Sequence, residues 1–275
     1  MTMMISGDSR ASPAVILSTL ADRLRAKVDT QIHPPPSSRI LFDSAREAFG
    51  SRDPRTTGPA LWAEADLVAG RLHSDIEARL REVLPNRFDY VHAPEGGWSG
   101  ILESLYVLVR LVRPATVVET GVGIVGASTA FILQALSDSG CGRLISIDPD
   151  RFAQMYGFNV GAGIPSRLRS RHKLVQGESR RVLREVLDGS GDIEMFLHDG
   201  CHTYSNMTWE FEVTWPHILE GGWLLSDDTV SSSLDDFCRT LGQVPVHVKY
   251  NSSSFGVVRK RSIDRSPTRM AGRGE

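Results

Sequence analysis

Residues 117–129 read VVETGVGIVGAST. The β-branched pair Val117-Val118 predicts a strand, and Gly121, Gly123 and Gly126 follow it at G-x-G-x-x-G spacing. Ala127–Leu136 has a helical pattern, so the glycines occupy a strand-to-helix turn. Such a turn brings backbone close to a ligand and aims a helix N-terminus at it. Asp148 ends the next apolar run, Leu144–Asp148, where βαβ nucleotide sites carry the acid that binds ribose hydroxyls. A tight turn without a ligand would not need that acid.

Outward from this unit the same texture continues. Lys173–Gln176, Met195–Asp199 and Trp223–Asp227 are further short strand-like runs after Thr116–Glu119 and Leu144–Asp148. Helices fit between them at Arg180–Leu187 and Ser205–Leu219. Alternation of this kind implies an α/β fold with a parallel sheet covered on both faces. Val246–Tyr250 and Phe255–Val258, joined by the polar turn Asn251–Ser254, predict a closing antiparallel hairpin. The N-terminal third reads as helical. Val15, Leu17, Leu20, Leu24 and Val28 recur at helical spacing after Pro13, and His33-Pro34-Pro35-Pro36 breaks the pattern. Leu61, Val68, Leu72, Ile76, Leu80 and Leu84 form a stripe over Pro59–Leu84 that needs a partner surface. Ser99 is positioned to cap a third helix, with Ile101, Leu105, Leu108 and Val112 inward.

The division expected is a helical extension over 1–95 serving as lid or dimer contact, a core domain over 96–260 and a disordered tail over 261–275. The chain has 275 residues, 41% of them hydrophobic, enough for one large core. Its net charge of −2 argues against a nucleic-acid surface. Three cysteines without repeated spacing suggest reduced thiols and a cytoplasmic protein. The apolar run Ala14–Leu17 is far short of the ~18 residues of a membrane span, and no signal peptide is read there.

Glu119 separates two cofactors that fit the glycine loop. It stands two residues before Gly121, where a dinucleotide's pyrophosphate would meet its negative charge. S-adenosylmethionine has no phosphate, and its ammonium and sulfonium suit an anionic lining. The segment resembles motif I of class I S-adenosylmethionine-dependent methyltransferases. That resemblance implies a Rossmann-like fold with a mostly parallel seven-stranded sheet. It gives the cofactor loop to Glu119, Gly121 and Gly123, and the ribose hydroxyls to Asp148. Ser128 is a further cofactor candidate, with Thr129 beside it, although both hydroxyls could equally cap the helix. Glu178 and Ser179 fall beside the adenine in the resembling families, or else cap the next helix.

Two acidic clusters follow strands, His198-Asp199-Gly200-Cys201-His202 and Ser226-Asp227-Asp228. Ligands of parallel sheets bind outside the carboxyl ends of strands, so the clusters can converge. Close carboxylates repel unless protonated or bridged by a cation, and oxygen ligands suit Mg²⁺. The pattern is similar to metal-dependent O-methyltransferases of the catechol and macrolide-sugar type, and D-G-x-H-x-Y resembles a bacterial small-molecule methyltransferase family. The resemblance implies Asp199, Asp227 and Asp228 as Mg²⁺ ligands and His202 as the base that deprotonates the acceptor hydroxyl. It implies a small-molecule acceptor, such as a natural-product intermediate with a sugar or phenol hydroxyl. The rivals are a zinc site from His198, Cys201 and His202, a bracing role for His202, an NAD-dependent oxidoreductase, and a non-catalytic partner protein of the same fold. Trp98, Trp209, Trp215 and Trp223 are candidates for an aromatic pocket, with core packing as the default. A homodimer is a further expectation.

Overall fold

The computed structural model describes residues 13–50, 58–83, 100–250 and 253–261. Eight strands form one sheet: β1 (Leu41–Phe42), β2 (Thr116–Thr120), β3 (Arg143–Asp148), β4 (His172–Gln176), β5 (Ile193–His198), β6 (Ile218–Ser226), β7 (Val246–Tyr250) and β8 (Ser253–Arg259). Their order is β1-β7-β8-β6-β5-β2-β3-β4. Every pairing is parallel except those of β8, which runs antiparallel to β6 and β7. The seven strands expected from sequence are all present. The eighth, β1, is a two-residue edge strand on β7, too short to show any alternation.

The helices are α1 (Pro13–Ile32), α2 (Ala45–Gly50), α3 (Pro59–Val83), α4 (Ile101–Val112), α5 (Ala127–Ser139), α6 (Arg151–Tyr156), α7 (Ser179–Ser190), α8 (Tyr204–Thr214) and α9 (Ser233–Thr240). Alternating residues of each strand feed the two faces of the sheet. Val117, Leu197 and Leu225 pack with α3, α4 and α5. Val118, Phe196 and Leu224 pack with α7, α8 and α9. Helix α8 stops at Thr214, five residues before the expected end. Pro216 has no N–H to continue the ladder, and a 3₁₀ turn, Trp215–His217, replaces the last turn. Gly100 precedes α4, and its N–H donates to the Glu103 carboxylate. Ser99, Leu84, Trp98 and the tail beyond residue 261 lie outside the described residues.

The α3 stripe finds its partner within this chain. Val68, Leu72, Ile76 and Leu80 are buried in the same cluster as α4 and α5. Helix α1 differs, because Leu17, Leu24 and Ile32 each keep about two thirds of their surface exposed. Polar contacts hold it instead. Asp22 pairs with Arg151 at 3.3 Å, and Asp29 accepts from the Tyr204 amide at 2.6 Å. No described helix is long and apolar enough to cross a membrane, and the three cysteines are free.

Candidate active site

The strand order reverses at β2, which lies between β3 and β5. Loops leaving such a switch point part to opposite sides and open a crevice at the carboxyl edge. Register fixes what meets there. Thr120 pairs with His198, and His198 with Ser226. The ladder extends one residue further, with Asp199 N–H donating to Thr120 O and Asp227 N–H to His198 O, both at 2.8 Å. Gly121, Asp199 and Asp227 therefore emerge side by side, although 106 residues separate the first from the last.

The glycine loop takes its shape from close approach. Gly121 has φ 87°, and a Cβ there would stand 1.9 Å from Asp199 O. Gly126 has φ 65°, and its Cβ would strike Ile164. Both positions exclude a side chain on two grounds, backbone conformation and space. Asp148 organises the same loop. Its Oδ2 accepts from the amides of Val122 (2.8 Å) and Gly123 (2.9 Å), and its Oδ1 from Asp150 (2.7 Å). A ribose hydroxyl can therefore reach only the remaining lone pair of Oδ1. The two amides are also withdrawn from any pyrophosphate, which speaks against a dinucleotide.

Glu119 is fully buried. It accepts from Ser128 Oγ (2.8 Å), Thr129 Oγ1 (2.7 Å) and Ser146 Oγ (2.8 Å). Loss of hydration outweighs these bonds and pushes its carboxyl up to about 7. Ser128 Oγ lies 3.1 Å from Asp199 Oδ2 as well. Its single proton cannot fully satisfy both carboxyls. Burial, then Asp227 and Glu119, raise Asp199 well above the carboxylate range. Burial and Asp228 raise Asp227 to about 6, while the Tyr250 hydroxyl donates to it. These carboxyls crowd together with fewer positive partners than charges.

Glu119 yields a stability prediction. The folded chain holds its proton more tightly than the unfolded chain, whose glutamate titrates near 4.5. The resulting stabilisation is complete below that pH and is lost as the pH rises through 7, a total of at most about 3 kcal/mol. Glu119→Gln has no proton to lose. Its melting temperature relative to the parent should therefore improve steadily from pH 5 to pH 8. A constant difference across that range would contradict the assignment.

Among the described residues, Asp199, His202 and Asp227 form the group able to share a cation, each offering a ligand atom within 4.8 Å of the others. The third member differs from the expected Asp228. Asp228 is in the left-handed region, φ 49°, and its Oδ2 stands 3.8 Å from His202 Nε2. His202 lies at the cluster as expected, and burial with the neighbouring His198 lowers it to about 4. The zinc set is not assembled. His198 Nδ1 meets Glu210 at 2.7 Å, its ring stands edge-on to His202 at 5.2 Å, and Cys201 Sγ contacts Thr203.

A cavity of about 250 Å³ adjoins these groups, lined by Gly123, Ser128, Asp199, Asp227, Tyr250 and apolar residues of α4 and the glycine loop. Glu178 and Ser179 do not line it. Glu178 precedes α7 and pairs with Arg181 at 3.4 Å, and Ser179 is one of the groups that lower Glu210. Three of the four tryptophans have other work. Arg180 and Arg184 cover Trp209, Phe237 packs on Trp215, and Arg259 covers Trp223.

Sequence reasoning missed the supports of the acidic loops. His33 stacks on Tyr204 at 3.8 Å, and its carbonyl accepts from Ser232 N–H. Arg39 donates to Thr229 O (2.6 Å) and Ser231 O (2.7 Å), and it pairs with Asp235, which also contacts His247. The segment after α1 thus ties down both loops that carry the acids. No periodic pattern marks such contacts.

Comparison with known proteins agrees with this geometry. Residues 118–229 match the family profile of a methyltransferase domain, a span from β2 to just past the Asp227-Asp228 pair. No curated protein sequence matches the chain. Among solved structures, a Klebsiella pneumoniae protein assigned as an O-methyltransferase superposes with TM-score 0.52 at 16% identity, covering 67% of this chain and 90% of its own. A Bacillus cereus O-methyltransferase in complex with S-adenosylhomocysteine gives 0.51 at 15% identity, covering 66% and 89%. The domain match spans the glycine loop and both acidic loops, and the strand order around them gives the chain the class I methyltransferase fold that these structures share.

Proposed function

We propose that this chain is an S-adenosylmethionine-dependent methyltransferase that acts on a hydroxyl oxygen of a small molecule, with the help of a divalent cation. The meeting of Asp199, Asp227 and His202 beside the glycine loop carries the reading. Asp199 and Asp227 would hold the cation, with Asp228 next to them. Raised, mutually repelling carboxyls are the donor set that a hard divalent ion relieves, and oxygen donors favour Mg²⁺. When bound, such a cation lowers the pKa of a nearby hydroxyl.

The chain's own residues supply the remaining chemistry. The glycine loop receives the cofactor's methionine end at Gly121 and Gly123, with Glu119 and Ser128 behind it, while Asp148 Oδ1 takes a ribose hydroxyl. The anionic lining suits the cationic methyl donor. Glu178, in the loop after β4, and Ser179, the first residue of α7, remain the candidates for the adenine side. His202, kept neutral by burial, accepts the acceptor's proton, and the carboxylate of Asp228 stabilises the imidazolium. The apolar walls of the cavity exclude water and orient the acceptor for transfer. A natural-product intermediate with a phenol or sugar hydroxyl is the acceptor class proposed.

Incubation with methyl-labelled S-adenosylmethionine and a panel of phenols, glycosides and amines tests this, with products read by mass spectrometry. The label should appear on oxygen. Labelling confined to nitrogen or carbon would overturn the oxygen assignment.

A further inference from the structure

We infer that Tyr250 is a positioning residue for the divalent cation, holding Asp227 in the orientation that binds it. The inference rests on the cation-assisted transfer proposed above. Tyr250 ends β7 and owes its place to the sheet. Strand β8 runs antiparallel between β6 and β7, so the carboxyl ends of both neighbours lie toward the start of β8. Ser226 pairs there with Gly256, and Tyr250 with Ser253. Tyr250 therefore overhangs the end of β6, where Asp227 and Asp228 follow. Its ring packs against the core that α4 and α5 share, and its hydroxyl reaches the acids.

The hydroxyl donates to Asp227 Oδ1 and stands 3.3 Å from Asp228 Oδ1. An ionised carboxylate has no proton to give, so the phenol is the donor, and its single proton goes to Asp227. The Asp227 main chain is held as well, because its N–H donates to His198 O at 2.8 Å. Backbone and carboxylate of one proposed ligand are thereby both tied down. Ligating carboxylates depend on such outer hydrogen bonds for their direction.

The charge of the donor separates a support of the cation site from a simple repair of the fold. Among the described residues, no lysine or arginine pairs with Asp199, Asp227 or Asp228. Buried carboxylates serving the fold alone are best matched by a cationic partner. A lysine or arginine at this place would repel a divalent ion. The neutral phenol steers Asp227 and leaves its negative charge available.

Titration of the full chain with Mn²⁺, in the presence of S-adenosylhomocysteine and followed by electron paramagnetic resonance, tests the inference. Mn²⁺ takes the same oxygen ligands as Mg²⁺, and its binding is read without turnover. Tyr250→Phe keeps the ring and removes the hydroxyl. Its Mn²⁺ affinity should fall about 10–100-fold, the usual effect of losing an outer partner of a metal ligand. The Mg²⁺ concentration for half-maximal turnover should rise by a similar factor, and S-adenosylhomocysteine affinity should stay at the parent value. Parent-like Mn²⁺ affinity in Tyr250→Phe would overturn the inference while leaving the cation reading intact. Joint loss of Mn²⁺ and S-adenosylhomocysteine binding would also overturn it, because the hydroxyl would then support the fold at large. A parent chain that binds no Mn²⁺ would instead bring down the cation reading, and this inference with it.

Discussion

A folded His202→Ala protein should turn over about 10²–10⁴-fold more slowly than the parent, the usual contribution of a general base. The imidazole stands at the acidic cluster, with its Nε2 3.8 Å from Asp228 Oδ2. S-adenosylhomocysteine affinity should hardly change. The pH dependence has a definite sign. Burial lowers His202 to about 4, so the neutral base is present at all pH values above that. The parent rate should rise with pH near 4 and show no His202 limb between 6 and 7, and the low limb should vanish in the variant. Near-parent kcat in His202→Ala would reduce the residue to a brace of its loop.

Removing divalent ions should lower turnover by about 10³-fold or more, the scale of several kcal/mol of transition-state stabilisation. Added Mg²⁺ should restore it. Asp227→Ala should match the chelated parent and resist rescue by Mg²⁺, while keeping its affinity for S-adenosylhomocysteine. Full activity in excess chelator would mean that Asp199 and Asp227 share a proton and bind no ion. Their raised carboxyls permit that state in the empty protein.

What the sequence reveals depends on the range of each interaction. Strand and helix alternation is local, so β2 to β8 are legible with small errors at their ends. The glycine spacing is local as well. Its reason is not, because the Cβ excluded at Gly121 would meet Asp199, 78 residues further on. Asp199 and Asp227 are each recognisable by following a strand, and parallel-sheet logic brings them to one edge. Which neighbour completes the group is a matter of loop conformation. A left-handed residue at Asp228 and a short loop after β5 put His202 within reach of Asp199 and Asp227, with the Asp228 carboxylate 3.8 Å from its ring. Asp148 shows a similar limit. Its position identifies it as an acid of the cofactor loop, but only the folded backbone reveals that its oxygens already hold Val122 and Gly123. Arg39 and Tyr250 carry no motif. Their importance comes from contacts across nearly the whole chain, as between Arg39 and Asp235.

The glycine loop, its amides withdrawn by Asp148 and its surroundings anionic, is expected to hold S-adenosylmethionine and no dinucleotide. Calorimetric titration of S-adenosylhomocysteine and of NADH into the same metal-free protein measures this directly. Saturable one-to-one binding of S-adenosylhomocysteine with no heat from NADH is the result predicted. Saturable NADH binding, or silence toward S-adenosylhomocysteine, would contradict it.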